Sequence, residues 1–105
     1  MDKSEAIKTV QRYLRTISCK YQIENAIIFG SFAKGKQKSD SDIDLAIVFK
    51  TVDDIIDLQI DLLKMRTDED LFIEPHPFSK KDFKRSNPVV SEILKTGIEI
   101  PTPAA

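Results

Sequence analysis

The sequence predicts a small β-sheet covered by helices. Three patterns predict it. Apolar residues near the N-terminus recur at helical spacing, two short continuous apolar runs read as buried strands, and further helical stretches alternate with them. With 105 residues, 41% hydrophobic and 31% charged, the composition is that of one globular domain. The domain is expected over residues 1–100, followed by a short tail, 101–105, in which two prolines stop regular structure.

Residues 3–21 read as a helix, because Ile7, Val10, Leu14, Ile17 and Tyr21 fall on one face. Asp2 with Glu5 three residues later resembles a capping box at its start. Residues 26–29 are apolar and rich in β-branched side chains, which predicts a buried strand. Gly30-Ser31 ends it and opens a short helix. Residues 43–49 are a second buried strand. Residues 52–66 form a long helix with Ile55, Ile56, Gln59, Ile60, Leu62 and Leu63 on its apolar side. Asp53, Asp54, Asp57 and Asp61 face away or sit at its start, where acids suit the helix dipole. Residues 71–78 are a third strand whose end Pro75 and Pro77 turn into an edge or an exit. Ser79 caps a short helix. Residues 88–96 are the last helix, with Pro88 in its first turn and Gly97 just past its end. Ile98-Glu99-Ile100 is compatible with a short edge strand.

Several function classes fall away at once. Sixteen Lys and Arg against seventeen Asp and Glu leave a net charge of −1, which argues against direct nucleic-acid binding. No apolar run approaches the roughly 18–20 residues that span a bilayer. The polar start, Met1 to Glu5, lacks a signal peptide's apolar stretch, so a cytoplasmic protein is expected. The single cysteine, Cys19, forms no intrachain disulfide and reads as a buried small apolar residue of the first helix. The single histidine, His76, builds no Cys/His zinc site. His76 itself, between two prolines after a strand, reads as a structural or rim residue.

The chemistry concentrates between Gly30 and Leu45. Gly30-Ser31 follows a strand, where a glycine lets backbone N–H groups approach an anion and the start of a helix adds free donors. Ser31 adds a hydroxyl, and Lys34, Lys36 and Lys38 add cations; together they suit a phosphate. Asp42 and Asp44 then stand two residues apart at the start of a strand, on one face. Two adjacent carboxylates repel unless a cation lies between them, and oxygen ligands favour Mg²⁺ or Mn²⁺. Glu74 lies among apolar neighbours in the third strand, where a carboxylate is costly unless paired or metal-bound. A third strand next to the second would bring all three acids together. Gly30-xxxx-Gly35-Lys36 fits the first part of a P-loop, but Gln37 replaces its Ser/Thr and a strand follows too soon.

Gly30-Ser-Phe-Ala-Lys-Gly35 with Ser41-Asp-Ile-Asp-Leu45 resembles the signature of the DNA polymerase β-like nucleotidyltransferases, and in particular their minimal nucleotidyltransferase (MNT) branch. Residues 73–78 and 87–100 are also similar to that branch. The resemblance implies an α+β fold, a mixed sheet flanked by helices. It implies that Gly30 and Ser31 bind the triphosphate of a nucleotide, with Lys34 where relatives often carry Arg. It assigns Asp42, Asp44 and Glu74 to two divalent ions, Mg²⁺ or Mn²⁺. The implied reaction transfers NMP, AMP from ATP, to a hydroxyl.

The resemblance also implies a partner, because small members of the branch act with a helical HEPN-domain protein as the antitoxin of a toxin–antitoxin pair. At this length the chain is expected to lack the helical domain with which larger relatives hold the acceptor, so another chain is expected to complete that site. Two alternatives stand beside this. One is a catalytically silent module that neutralises a HEPN toxin by contact, through an apolar patch around Val89, Val90, Ile93 and Leu94. The other is a transferase for a small molecule of the aminoglycoside type.

Overall fold

A computed structural model describes residues 2–35 and 42–103. The first helix, α1 (Lys3–Ser18), begins where the Asp2 carboxylate accepts the Glu5 N–H at 2.8 Å. It is followed by β1 (Ile23–Phe29), β2 (Ile43–Phe49), α2 (Ile55–Lys64), β3 (Ile73–Ser79), α3 (Pro88–Thr96) and β4 (Ile98–Ile100). Single 3₁₀ turns at Asp68–Asp70 and Lys80–Asp82 flank β3. Ser79 caps the second of them, its hydroxyl accepting the Asp82 N–H at 3.3 Å.

The strands form one mixed sheet in the order β3-β2-β1-β4. β1 is antiparallel to β2 and β4, while β2 and β3 are parallel. A parallel pair needs a crossover, and α2 provides it. The fold is α+β, as the resemblance implies.

Strand alternation sorts the side chains by face. Ala26, Ile28, Ile43, Leu45, Ile47, Phe49, Ile73 and Ile100 pack against Ala6, Val10, Tyr13, Leu14 and Ile17 of α1 and Leu58 and Leu62 of α2. Full burial of each large side chain contributes about 1.5–3 kcal/mol. The Tyr13 hydroxyl donates to the Leu62 carbonyl at 2.6 Å, so its polar tip is satisfied. Burial pushes the phenol well above its ordinary pKa. Asp70, almost fully buried, accepts from the Thr67 N–H and hydroxyl at 3.1 and 2.9 Å and faces Arg12 of α1 at 3.5 Å. The opposite face is smaller and belongs to α3, where Ile93 meets Ile27 and Ala46, bordered by Phe29, Phe78 and Phe83.

Four expectations change. Cys19 is exposed at the C-terminal cap of α1 and not buried within the helix. The short helix after β1 is, among the described residues, a turn over residues 30–35. Lys34 N–H reaches the Gly30 carbonyl at 3.2 Å, but Gly35 N–H folds back to Phe32 at 3.1 Å, and Gly35, at φ +70°, leaves the right-handed helical region. The apolar side of α2 is also different. Leu58 and Leu62, one turn apart, face the core, whereas Ile55, Ile56 and Ile60 are 46%, 69% and 45% exposed. The proposed patch on α3 is divided as well, since Val90 and Ile93 are buried and only Val89 and Leu94 are exposed.

β3 is an edge strand, and its prolines explain themselves there. Phe72 accepts the Ile43 N–H at 2.8 Å, so even-numbered residues of β3 bond β2 and the missing N–H groups of Pro75 and Pro77 face outward. The outward carbonyls are occupied too: Arg66 donates to Ile73 at 3.0 Å and Gln59 to Pro75 at 2.9 Å. Among the described residues no helix is long and apolar enough to cross a membrane.

Candidate active site

The site is made by the parallel pairing of β2 and β3. Its register sets Asp44 opposite Glu74 and Ala46 opposite His76. The two-residue period puts Glu74 and His76 on the face that carries Asp44. His76 Nε2 lies 3.1 Å from Asp44 Oδ1. Its ring rests edge-on against Phe29, with centroids 5.1 Å apart. Asp44 and His76 are each about one-third exposed, at 32% and 36% of their side chains, and Glu74 is exposed. Asp44, Glu74 and His76 each offer one ligand atom, and the three atoms lie within 4.8 Å of one another. Two carboxylates and an imidazole at this spacing are a donor set suited to a divalent cation.

β1 supplies the adjoining wall. Phe29 pairs with Asp44, and the chain then turns at Gly30, whose φ is +76°. A Cβ at Gly30 would lie 2.5 Å from Asp44 Oδ2. The position therefore needs glycine twice over, for its dihedral and for the close approach of the carboxylate. Phe32 is anchored in the core behind the turn, and Ser31 is left exposed. Lys34 extends toward α3 and pairs with Glu92 at 3.3 Å.

The expected residues therefore separate. Asp44 and Glu74 meet as cross-strand partners. Gly30 backs onto Asp44, with Ser31 next in the chain. Asp42 is exposed just before β2 and is not one of the three converging groups. Lys36 and Lys38 lie outside the described residues. Glu74 is not the buried carboxylate its apolar neighbours suggest, because β3 is an edge strand and Glu74 is exposed there. His76, read from the sequence as a rim residue, joins the cluster. The signal for it was the two-residue spacing from Glu74, which matters only once β3 is seen to continue through both prolines.

The chain matches the polymerase beta nucleotidyltransferase family over residues 9–102. Over 53 residues, 50% of the chain, it is 32% identical to MJ1215 of Methanocaldococcus jannaschii, a protein assigned as a protein adenylyltransferase. That match spans 62% of the relative's length. A crystal structure assigned as a nucleotidyltransferase from Sulfolobus solfataricus superimposes with a TM-score of 0.66 at 19% identity, covering 89% of this chain and 77% of that one. A toxin–antitoxin crystal structure with AMP-PNP gives 0.60 at 17% identity, covering 92% and 73%. Likeness at that level of identity speaks for the fold, and the match over residues 9–102 speaks for descent: the chain belongs to the polymerase beta nucleotidyltransferase family.

Proposed function

We propose that the chain is a metal-dependent nucleotidyltransferase that moves AMP from ATP to a hydroxyl of a partner protein, as the antitoxin side of a HEPN/MNT toxin–antitoxin pair. The observation that carries the reading is the convergence of Asp44 and Glu74 beside the positive-φ turn at Gly30. Family membership supports the reaction class, and the assignment of MJ1215 as a protein adenylyltransferase supports a protein acceptor. The fold shared with a toxin–antitoxin structure supports the biological setting.

In this reading Asp44 and Glu74, with Asp42 ahead of β2, hold divalent cations. Those ions, when bound, supply charge compensation at the phosphates and acidify the acceptor hydroxyl. The chain's own groups do the rest. The turn at Gly30 and Ser31 presents backbone N–H groups and a hydroxyl to the β- and γ-phosphates. Lys34 exchanges Glu92 for a phosphate oxygen, at small cost because the pair is exposed. Glu74, exposed on the edge strand, accepts the proton of the attacking hydroxyl in this reading. The acceptor oxygen bonds to the α-phosphorus, and pyrophosphate leaves.

The test is a transfer assay with labelled ATP, Mg²⁺ or Mn²⁺, and the protein encoded beside this chain. The expected result is one AMP added to the partner by mass spectrometry, with pyrophosphate released. An unmodified partner that is nevertheless neutralised would overturn transfer and leave the contact-only module. The exposed isoleucines of α2 are the observation that favours that second reading.

A further inference from the structure

We infer that His76 is a nitrogen donor to the cation of this site and turns its preference from Mg²⁺ toward a first-row transition ion such as Mn²⁺. The inference rests on the metal-dependent reading above and adds the donor and the metal class.

The spacing is the first argument. Ligands that bind an octahedral ion at about 2.0–2.1 Å sit about 3 Å apart when they are neighbours around it. His76 Nε2 and Asp44 Oδ1 share a hydrogen bond of 3.1 Å, a spacing that two adjacent coordination positions around an ion would also have. The support of the ring is the second. β3 is hydrogen-bonded to β2 at the level of Ala46, and Phe29 of β1 packs against the imidazole. The direction of the ring is thus set from two strands, independently of any one hydrogen bond. The composition of the donor set is the third. Asp42 stands outside the converging group, so among the described residues the third group within reach of Asp44 and Glu74 offers nitrogen. Mg²⁺ takes oxygen and gives up its waters reluctantly. Imidazole suits later first-row ions, and carboxylates suit Mg²⁺, Ca²⁺ and Mn²⁺. Two carboxylates with one imidazole fall where these preferences overlap.

The single histidine of the chain makes the test unambiguous once any affinity tag is removed. Mn²⁺ bound to the full chain should show, by pulsed electron paramagnetic resonance, a ¹⁴N coupling that becomes a ¹⁵N coupling when histidine is isotopically labelled. Competition titration should show Mn²⁺ held at least about tenfold tighter than Mg²⁺, with that ratio falling several-fold in His76→Ala. Bound Mn²⁺ without nitrogen coupling, or an unchanged ratio in the variant, overturns the inference. The labelled wild-type chain decides alone if His76→Ala fails to fold. Nitrogen coupling in a protein that transfers nothing keeps this inference and removes the transferase reading. Transfer of AMP without nitrogen coupling does the reverse.

Discussion

Two acidic regions of the molecule contrast, and the one poorer in acids is the better candidate for chemistry. At the C-terminal end of β2 and along α2, Asp53, Asp54, Asp57 and Asp61 line a cleft of about 540 Å³ with Lys20 and Tyr21. Two of those acids are already employed. Asp54 caps α2, accepting the N–H groups of Ile56 and Asp57 at 3.0 and 3.1 Å. Asp61 is held by Lys20 at 2.7 Å and by the Tyr21 hydroxyl. At the other end of β2, Asp44 and Glu74 come from different strands and point at one spot, with one imidazole and a glycine turn beside them. The number of acids and the size of a cleft follow from helix capping and surface charge. Convergence from separate strands follows only from tertiary structure, and it is the feature that chemistry uses.

The largest effect should come from removing one converging carboxylate. Asp44→Asn is expected to lower AMP transfer about a thousandfold, about 4 kcal/mol in the barrier. Its stability should stay within about 0.5 kcal/mol of wild type, because the side chain is one-third exposed on the open face. Transfer assays beside urea denaturation check both halves. A variant that unfolds would make Asp44 a structural residue, like the acids of α2.

Gly30→Ala should act on stability and turnover together. The new methyl group meets Asp44 Oδ2, and the backbone is held at φ +76°. A cost of about 1–3 kcal/mol is expected for a non-glycine residue forced into this geometry. That corresponds to a drop in Tm of about 4–8 °C per kcal/mol for a domain of this size. Transfer by the folded fraction should also fall, since Asp44 must move. Loss of stability with normal turnover would show that the turn and the carboxylate are independent.

Asp54→Ala is the matched change in the other region. Loss of an N-cap costs about 1 kcal/mol, and transfer by the folded protein should not change. Lower turnover, measured below the shifted Tm, would bring the α2 cleft into the reaction.

The sequence made one half of this contrast legible and hid the other. Asp42-Ile-Asp44 on an apolar run and Gly30-Ser31 after another are local patterns, so the strand, the turn and the alternation could be read directly. The partner of Asp44 depends on strand order and register, which no local pattern carries. Glu74 could be named only on the condition that its strand lay next to β2, and it does. The same condition would have included His76, but Pro75 and Pro77 read as turning the end of that strand into an edge or an exit, and His76 between them as a rim residue. They are tolerated because the odd-numbered residues of an edge strand have no N–H partner to lose. The apolar side of α2 was misread because Ile55, Ile56 and Ile60 were grouped with Leu62 and Leu63 and Leu58 was left out, whereas burial follows the turn that Leu58 and Leu62 share. The helix expected after Gly30 fails at Gly35, whose positive φ is invisible in a sequence that permits either sign.

The smallest predicted effect is a dependence on pH that belongs to the α2 region alone. Hydrogen bonds from Lys20 and then Tyr21 hold the Asp61 carboxyl below its ordinary value of 3.8. A depressed acid contributes stability that is present above its unfolded pKa and lost as pH falls through the folded one. The bond to Asp61 likewise raises Lys20 above 10.5 and Tyr21 above 10.0. Their contribution is present below those values and lost as pH rises through the folded ones. The difference in Tm between wild type and Asp61→Asn should therefore be flat near neutrality and should shrink on both flanks, below about pH 4 and above about pH 10. Its size should be small and should decline with added salt, because these groups are open to solvent. Thermal denaturation followed by circular dichroism across that range checks it. A constant difference at every pH would mean that Asp61 stabilises the fold through packing or its uncharged hydrogen bonds. The α2 acids would then differ from the Asp44–Glu74 pair in geometry alone, rather than also in having their charge already neutralised.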